Sequence, residues 1–426
     1  MLAVTCLATP AAAQSQPSPS TGDLAQRIQA LEDQLRALQS ELAALRAAGA
    51  PATPGPAPQL VLPPQAEPSA SAPPAAVGAD APTAQNLPVY AGASSKPFNP
   101  DIGIIGNFLS AGGVSRGGSS ALAPVPLMTL QESEASFQAV VDPYARADFF
   151  LALGEKGIEV EEGFITFPTA PGGLLIKVGK MRATFGRLNA FHNHTLPWTD
   201  RPLVMYNLLG GASDDPDTGI KDAGVSVSRL IPVGKLFLEA TGEVFRGDSG
   251  TLFQSNRRQD FSTIGHLRAY TDLTEGSNLE MGASFARGHN DLGTGLTTRL
   301  YGADVTYRWK PLTRAIYRSF VGRSELMWSR RDQPMGVAQA FGTFVSGDYQ
   351  FARRWVAGGR FDSAERGREV NVRDRGWSAV LTFWPSEFSQ LRSQYRRTRF
   401  GDRDEVAHEL FLQVLFTIGA HGAHAF

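Results

Sequence analysis

From about residue 100 to the C-terminus, apolar and polar positions alternate with a period of two. Near 279–285, Leu279, Met281, Ala283 and Phe285 fall on one side of the chain, and Glu280, Gly282 and Ser284 on the other. In the next such segment Tyr301, Ala303, Val305, Tyr307 and Trp309 oppose Gly302, Asp304, Thr306, Arg308 and Lys310. Near the end of the chain Leu410, Leu412, Val414, Phe416 and Ile418 oppose Glu409, Gln413 and Thr417. This alternation predicts β-strands with one apolar and one polar face. Sixteen are predicted: 102–109, 131–141, 145–154, 158–167, 173–186, 220–230, 235–246, 260–273, 277–288, 298–310, 318–330, 339–352, 354–363, 374–384, 389–399 and 406–418.

A soluble sandwich also alternates, but it turns its polar face outward and rarely needs so many strands of about ten residues. Charges on one face and aromatics near the strand ends fit strands that turn an apolar face to lipid and a polar face to a lumen. The connections support this. One set is short, such as Asp142-Pro143-Tyr144 and Ile231-Pro232-Val233-Gly234; the other is mostly longer and polar, such as 247–259. Short turns at one end and long loops at the other characterise bacterial outer-membrane barrels. The expected fold is therefore all-β: an antiparallel transmembrane barrel of about sixteen strands over residues 100–426. An even strand number returns both chain ends to the periplasm.

A different periodicity precedes the barrel. Leu24, Ile28, Leu31, Leu35, Leu38, Leu42 and Leu45 are spaced 4, 3, 4, 3, 4, 3. That is an a/d seam, which predicts a short α-helical coiled coil over 22–47 and an oligomer. About three heptads are marginal for a free-standing helix pair, so the seam is expected to assist an oligomer held together elsewhere. Residues 48–99 are dense in Pro and Ala and read as an extended periplasmic spacer. Residues 1–13, ending Ala11-Ala12-Ala13 before Gln14, resemble a signal peptide with an A-x-A cleavage site. The usual basic n-region is missing, which points to a start truncated within the signal.

Composition narrows the picture further. In 426 residues, no run approaches the apolar length of a membrane helix. A net charge of −1 gives no reason to expect nucleic acid as a partner. The single cysteine, Cys6, lies in the targeting segment, which excludes a disulfide framework or thiolate metal site in the mature chain. No G-x-S-x-G elbow, H-E-x-x-H pair or phosphate-binding loop occurs, so no enzyme and no cofactor are expected. The chain ends on Phe426, the aromatic C-terminus that serves as an assembly signal for the barrel-assembly machinery.

Candidate chemistry concentrates in the long connection 187–219, the third external loop by strand count. Trp198, Leu203, Met205, Tyr206 and Leu208 are suited to packing on an inner wall. His192, His194, Asp200, Arg201, Asp214, Asp215 and Asp217 are suited to facing an aqueous lumen. His192 and His194, with Asp200 near in sequence, suggest a zinc-type site, although hydrogen-bonded loop histidines explain the same pattern. His421 and His424 are equally ambiguous. On the predicted lumen faces stand Arg268, Arg308, Lys310, Arg323, Arg360, Arg392 and Arg396. Such a series suits oxyanions. The acidic residues Glu239, Glu243, Glu280, Asp304, Glu325 and Asp348 share those faces, so a neutralising ladder of ion pairs is the favoured expectation.

The heptad start LAQRIQALEDQLRALQSELAAL, the proline-rich linker and the strand LLIKVGKMRATFGRLN together resemble the phosphate-selective porin O/P family. The sharp part is a "VGK…FG" strand, matched here by Val178, Gly179, Lys180, Phe185 and Gly186. The resemblance implies a trimeric sixteen-stranded barrel with a constricting third loop. The family's lumen lysines and arginines have no residue-by-residue match, so phosphate selectivity is not implied. A weaker similarity, through the histidine-containing loop and the ending GAHGAHAF, is to outer-membrane proteins described as zinc-responsive receptors. The expected function is passive diffusion of small hydrophilic or ionic solutes across the outer membrane. Uptake of a metal ion or complex, and a structural barrel that tethers the envelope, are the alternatives. Expected partners are outer-membrane lipid, the diffusing solutes and two further copies of the chain.

Overall fold

The structure, a computed structural model, describes residues 100–114, 128–131, 133–154, 157–210, 219–369, 371–401 and 406–419. The signal segment 1–13, the seam from Leu24 to Leu45, the linker 48–99, Asp214, Asp215, Asp217, His421, His424 and Phe426 lie outside the described residues.

The described strands form one closed antiparallel barrel. In chain order they are β1 (Asp101–Val114), β2 (Met128–Leu130 continued by Ser133–Asp142), β3 (Ala145–Gly154), β4 (Gly157–Ala170), β5 (Leu174–Arg182) and β6 (Lys221–Val233). There follow β7 (Leu236–Phe245), β8 (Ser262–Thr274), β9 (Ser277–His289), β10 (Thr297–Trp309) and β11 (Ser319–Gln333). The last are β12 (Gly336–Ala352), β13 (Trp355–Glu365), β14 (Arg373–Ser386), β15 (Ser389–Arg399) and β16 (Val406–Gly419). The two parts of β2 pair in succession with β1 and so make one stave. β1 also pairs with β16, from Gly103 opposite Gly419 to Val114 opposite His408, and this closes the sheet. Closure removes the unpaired edge that an open sheet would leave in lipid.

The alternation read from the sequence sets the two faces. Met281, Phe285, Tyr301, Leu410, Leu412 and Val414 are exposed on the outside, while Glu280, Asp304, Glu409 and Gln413 are buried within. Aromatics gather in two rows on the outer face. Phe285, Tyr301, Trp328 and Phe341 are register neighbours in one row, and Trp309, Phe320 and Tyr349 in the other. Tyr301 to Trp309, Phe320 to Trp328 and Phe341 to Tyr349 are each eight residues apart. Eight residues of tilted strand rise about 20 Å along a barrel axis, close to the ~25 Å of a lipid-facing band between two aromatic girdles. No described helix is long and apolar enough to cross a membrane.

The fifth strand is shorter than the sequence suggests. It ends at Arg182, not near 186, because Phe185 N–H turns back to the carbonyl of Ala183 (3.0 Å) and Gly186 adopts a left-handed φ of 60°. The chain leaves the wall there and folds inward. This inward loop carries two 3-10 turns, Leu188–Ala190 and Asn193–Thr195, and one short helix, α1 (Leu203–Leu208). The inner wall also carries apolar residues that meet this loop. Leu300, Met327 and Phe344 join Trp198, Val204 and Met205 in one buried cluster.

Candidate functional site

The inward turn is built by the residues after β5. Phe185 is fully buried against Gly302, where a β-carbon would come within 3.2 Å of its ring. A β-carbon on Gly186 would lie 2.8 Å from Glu325 Oε2. The other carboxylate oxygen of Glu325 accepts the backbone amides of Arg187 (2.8 Å) and Leu188 (2.7 Å). Arg187 also ion-pairs with Glu280 on β9.

Beyond this pivot the loop is held by its own backbone and by the walls. Arg201, expected to face water, is buried. Its guanidinium donates to Asn193 Oδ1 (2.8 Å) and to the carbonyls of Leu188 (3.2 Å) and Phe191 (2.6 Å), which folds the loop on itself. The Trp198 ring stands edge-on to Phe344, with the Arg360 guanidinium over it. Small residues on the inner wall seat α1: a β-carbon on Gly342 would come within 2.7 Å of Val204. The next loop covers this one. Phe253 lies over Gly288, and Thr251 Oγ1 donates to the carbonyl of Gly210 (2.9 Å).

Asp200 ties the loop to the far wall. It bonds Arg360 on β13 (2.9 Å), Arg396 on β15 (2.7 Å) and the Gln394 amide (2.6 Å). Strand β13 is eight staves from β5 in either direction, so the loop crosses the lumen to reach it. Burial alone would raise the pKa of Asp200, but the two guanidinium groups outweigh it and hold the carboxyl at about 2. Tyr206 is shifted the other way, upward, by burial and by the nearby Asp200 carboxylate.

Six of the seven basic residues singled out in the sequence project inward into bonded positions. Arg268 pairs with Glu239 and Glu280, Arg308 with Glu280, and Arg323 with Asp348. Arg360 joins Asp362 as well as Asp200, and Arg396 joins Glu409. Arg392 donates to neutral acceptors, the Trp198 carbonyl and Gln413 Oε1, both at 2.9 Å. Lys310 is different: it follows β10 at the short-turn end of the barrel, half-buried.

His192 and His194 are buried, and Asp200 is not their neighbour. Carboxylates from the wall surround them instead. His192 Nδ1 lies 2.7 Å from Glu134 Oε2 and 3.3 Å from Glu161 Oε2, and Nε2 lies 2.7 Å from Glu162 Oε2. His194 Nδ1 lies 3.7 Å from Glu134 Oε2. A β-bulge explains how two consecutive residues face the same ring: the β3–β4 register shifts between Phe150 and Leu151, opposite Glu162 and Val160. Arg182 braces the bulge, its backbone amide on Glu162 (2.7 Å) and its guanidinium on Glu161 Oε1 (2.8 Å). Burial would lower the pKa of His192, but Glu161 and Glu134 outweigh it and raise it well above the usual histidine value.

Glu134, Glu161 and Glu162 escape the sequence reading, as does the apolar inner patch of Leu300, Met327 and Phe344. The adjacent glutamates of a "VEEG" strand were the available signal.

No protein-family model matches the chain. An uncharacterized protein of Aquifex aeolicus (strain VF5) is 26% identical over 397 residues, covering 78% of this chain and 81% of that one. Among solved structures, several of the outer-membrane protein OmpT of Vibrio cholerae are similar. A loop L8 deletion mutant has a TM-score of 0.51, with 11% identity over 75% of this chain and 99% of that one. The in-vitro-folded trimer form has a TM-score of 0.50, with 10% identity over the same shares. The anion-selective porin from Comamonas acidovorans has a TM-score of 0.50, with 11% identity over 74% and 98%. At these identities the likeness establishes the fold, that of the porin-type outer-membrane barrel.

Proposed function

We propose that this chain is a porin-like channel of the outer membrane for passive diffusion of small hydrophilic or ionic solutes, with the loop 187–219 as its constriction. The observation that carries this reading is the Asp200 anchor. A loop that leaves β5 and is bonded to Arg360 on β13 lies across the route any solute would take. The two rows of outward aromatics support a lipid-facing exterior.

The pairing of the wall arginines argues against a dedicated phosphate path. Arg268, Arg308, Arg323, Arg360 and Arg396 each have a carboxylate partner. Paired charges of both signs give a polar wall with a weak ion preference. A homotrimer is the favoured assembly, in keeping with the trimer form of the similar Vibrio cholerae protein and with the heptads of the N-terminal segment.

Proteoliposome swelling tests the reading. Vesicles holding the refolded chain should admit small sugars quickly and larger oligosaccharides progressively more slowly. Equal exclusion of every sugar by correctly folded protein would sink it.

A further inference from the structure

We propose that Glu134, Glu161 and His192 form a binding site for one divalent transition-metal ion of the zinc type, which staples the inward loop to the barrel wall. The proposal does not depend on the channel reading, because a staple between loop and wall is a feature of the fold whether or not the barrel conducts.

Three observations meet at this place. The first is convergence. One ligand atom from each of the three side chains lies within 4.8 Å of the other two. His192 Nδ1 is 2.7 and 3.3 Å from the two carboxylate oxygens that face it. A tetrahedral ion with bonds of about 2.0–2.2 Å holds its ligands about 3.3 Å apart, so modest adjustment admits one. Imidazole nitrogen with carboxylate oxygen is a donor set suited to zinc and its neighbours.

The second observation is that the facing atoms make no hydrogen bond of acceptable geometry. Glu134 Oε2, Glu161 Oε2 and His192 Nδ1 are all buried in this condition. Their side chains are about 1, 2 and 4% exposed. Buried polar atoms in a folded protein are ordinarily satisfied. Three such atoms aimed at one another mark a place for a cation.

The third is the surrounding shell. Glu162 Oε2 sits 2.7 Å from His192 Nε2, on the side of the ring away from the cluster. A proton on Nε2 donated to Glu162 leaves Nδ1 with its lone pair toward the site, the carboxylate–histidine–metal relay of many zinc centres. Arg182 occupies Glu161 Oε1 and so turns Oε2 inward. The charges also fit. Glu134, Glu161 and Glu162 bring three carboxylates together, Arg182 and Lys221 both act on Glu161, and a divalent ion adds positive charge at the centre of the carboxylate ring. Lys221 also lies 3.9 Å from Glu159. His194, with Nδ1 3.7 Å from Glu134 Oε2, stands where a fourth ligand would come from. The β4 bulge, which puts Glu161 and Glu162 on the same side, makes the arrangement possible. Enclosure between wall and loop fits a fixed structural ion better than one in transit.

The test uses the full chain refolded in detergent after chelator treatment, with Zn²⁺ as the probe and Ca²⁺ as the comparator. Metal bound after equilibrium dialysis should exceed that of the Glu134→Gln/Glu161→Gln double variant, and that of His192→Gln, by one equivalent per chain. Ca²⁺ should bind at least about 100-fold more weakly than Zn²⁺, as hard cations prefer all-oxygen sites. Glu162→Gln should keep the stoichiometry and weaken binding about 10–100-fold. Equal zinc in wild type and variants would overturn the proposal, and so would no zinc in a folded wild type, which leaves a protonated His192 among the carboxylates in place of a metal ion. If the variants fail to fold, Co²⁺ added to the wild type decides. Visible absorption bands abolished by one equivalent of Zn²⁺ support the site, and their absence refutes it.

Discussion

Glu325 closes over Gly186. One carboxylate oxygen would stand 2.8 Å from a β-carbon at that glycine, and the other accepts the amides of the next two residues. The glycine's φ of 60° lies where L side chains are strained by about 1–2 kcal/mol. Together these features turn the chain from wall to lumen. Gly186→Ala should therefore displace the loop while leaving the barrel closed, since Gly186 takes part in no strand pairing. Trypsin cleavage after Arg187 should rise about 5- to 30-fold, the equivalent of the 1–2 kcal/mol of strain. Cleavage at the wild-type rate would show that the pivot is not held by this glycine.

Glu325→Ala removes the acceptor of two buried amides. Leaving such groups unsatisfied costs about 1–3 kcal/mol. The variant should lower the urea midpoint for loop release more than that for barrel unfolding, followed by a fluorophore attached in the loop and by circular dichroism respectively. An equal shift of both would mean that loop and barrel unfold as one unit.

The Asp200 anchor should be sensitive to acid. Its folded pKa of about 2 lies below the ordinary aspartate value. A carboxyl depressed on folding contributes stability above its unfolded pKa, and that stability is lost as pH falls through the folded value. Loop attachment should thus weaken between about pH 4 and pH 2, by about 2 kcal/mol in all. Asp200→Asn should already be weakened at pH 7 and should lack this acid-dependent step. Loop fluorescence titrated from pH 6 to pH 2 in both proteins is the check; an acid step of the same size in Asp200→Asn would assign it to another group.

The lipid-facing band makes a separate prediction. Val345 is 54% exposed on the outer face, midway between the aromatic rows marked on β12 by Phe341 and Tyr349. Val345→Arg should cost about 2–4 kcal/mol of folding free energy in bilayers, and a charge at Tyr301, near a girdle, only about 0–1. Folding titrations into short-chain lipid vesicles measure both. Equal costs at the two depths would contradict the orientation of the band.

The strands were legible because a barrel wall has two environments, and a period of two in residues such as 301–310 reports them directly. What the chain does once it leaves the wall was less legible. The stretch 183–186 continues the apolar character of β5, and only the paired Phe185 and Gly186 hint that it turns. Asp200 is near His192 in sequence, yet the loop crosses the lumen between them, so Asp200 meets Arg360 and Arg396 instead. The partners of His192 were hidden by the bulge. Strict alternation sends Glu161 and Glu162 to opposite faces, whereas the extra residue brings both inward. Leu300, Met327 and Phe344 break the rule of a polar interior, because part of that interior is a packed core between wall and loop.

Single-channel recording in planar bilayers reads the proposed open pore, narrowed by the inward loop, without intermediate steps. The refolded wild type should insert in conductance steps grouped in threes, with a small reversal potential in a salt gradient. A variant in which Gly-Ser replaces residues 196–209 should show larger unit steps. A folded wild type that does not conduct would rule out an open pore, and a loop-replaced variant with unchanged unit conductance would rule out the loop as its constriction.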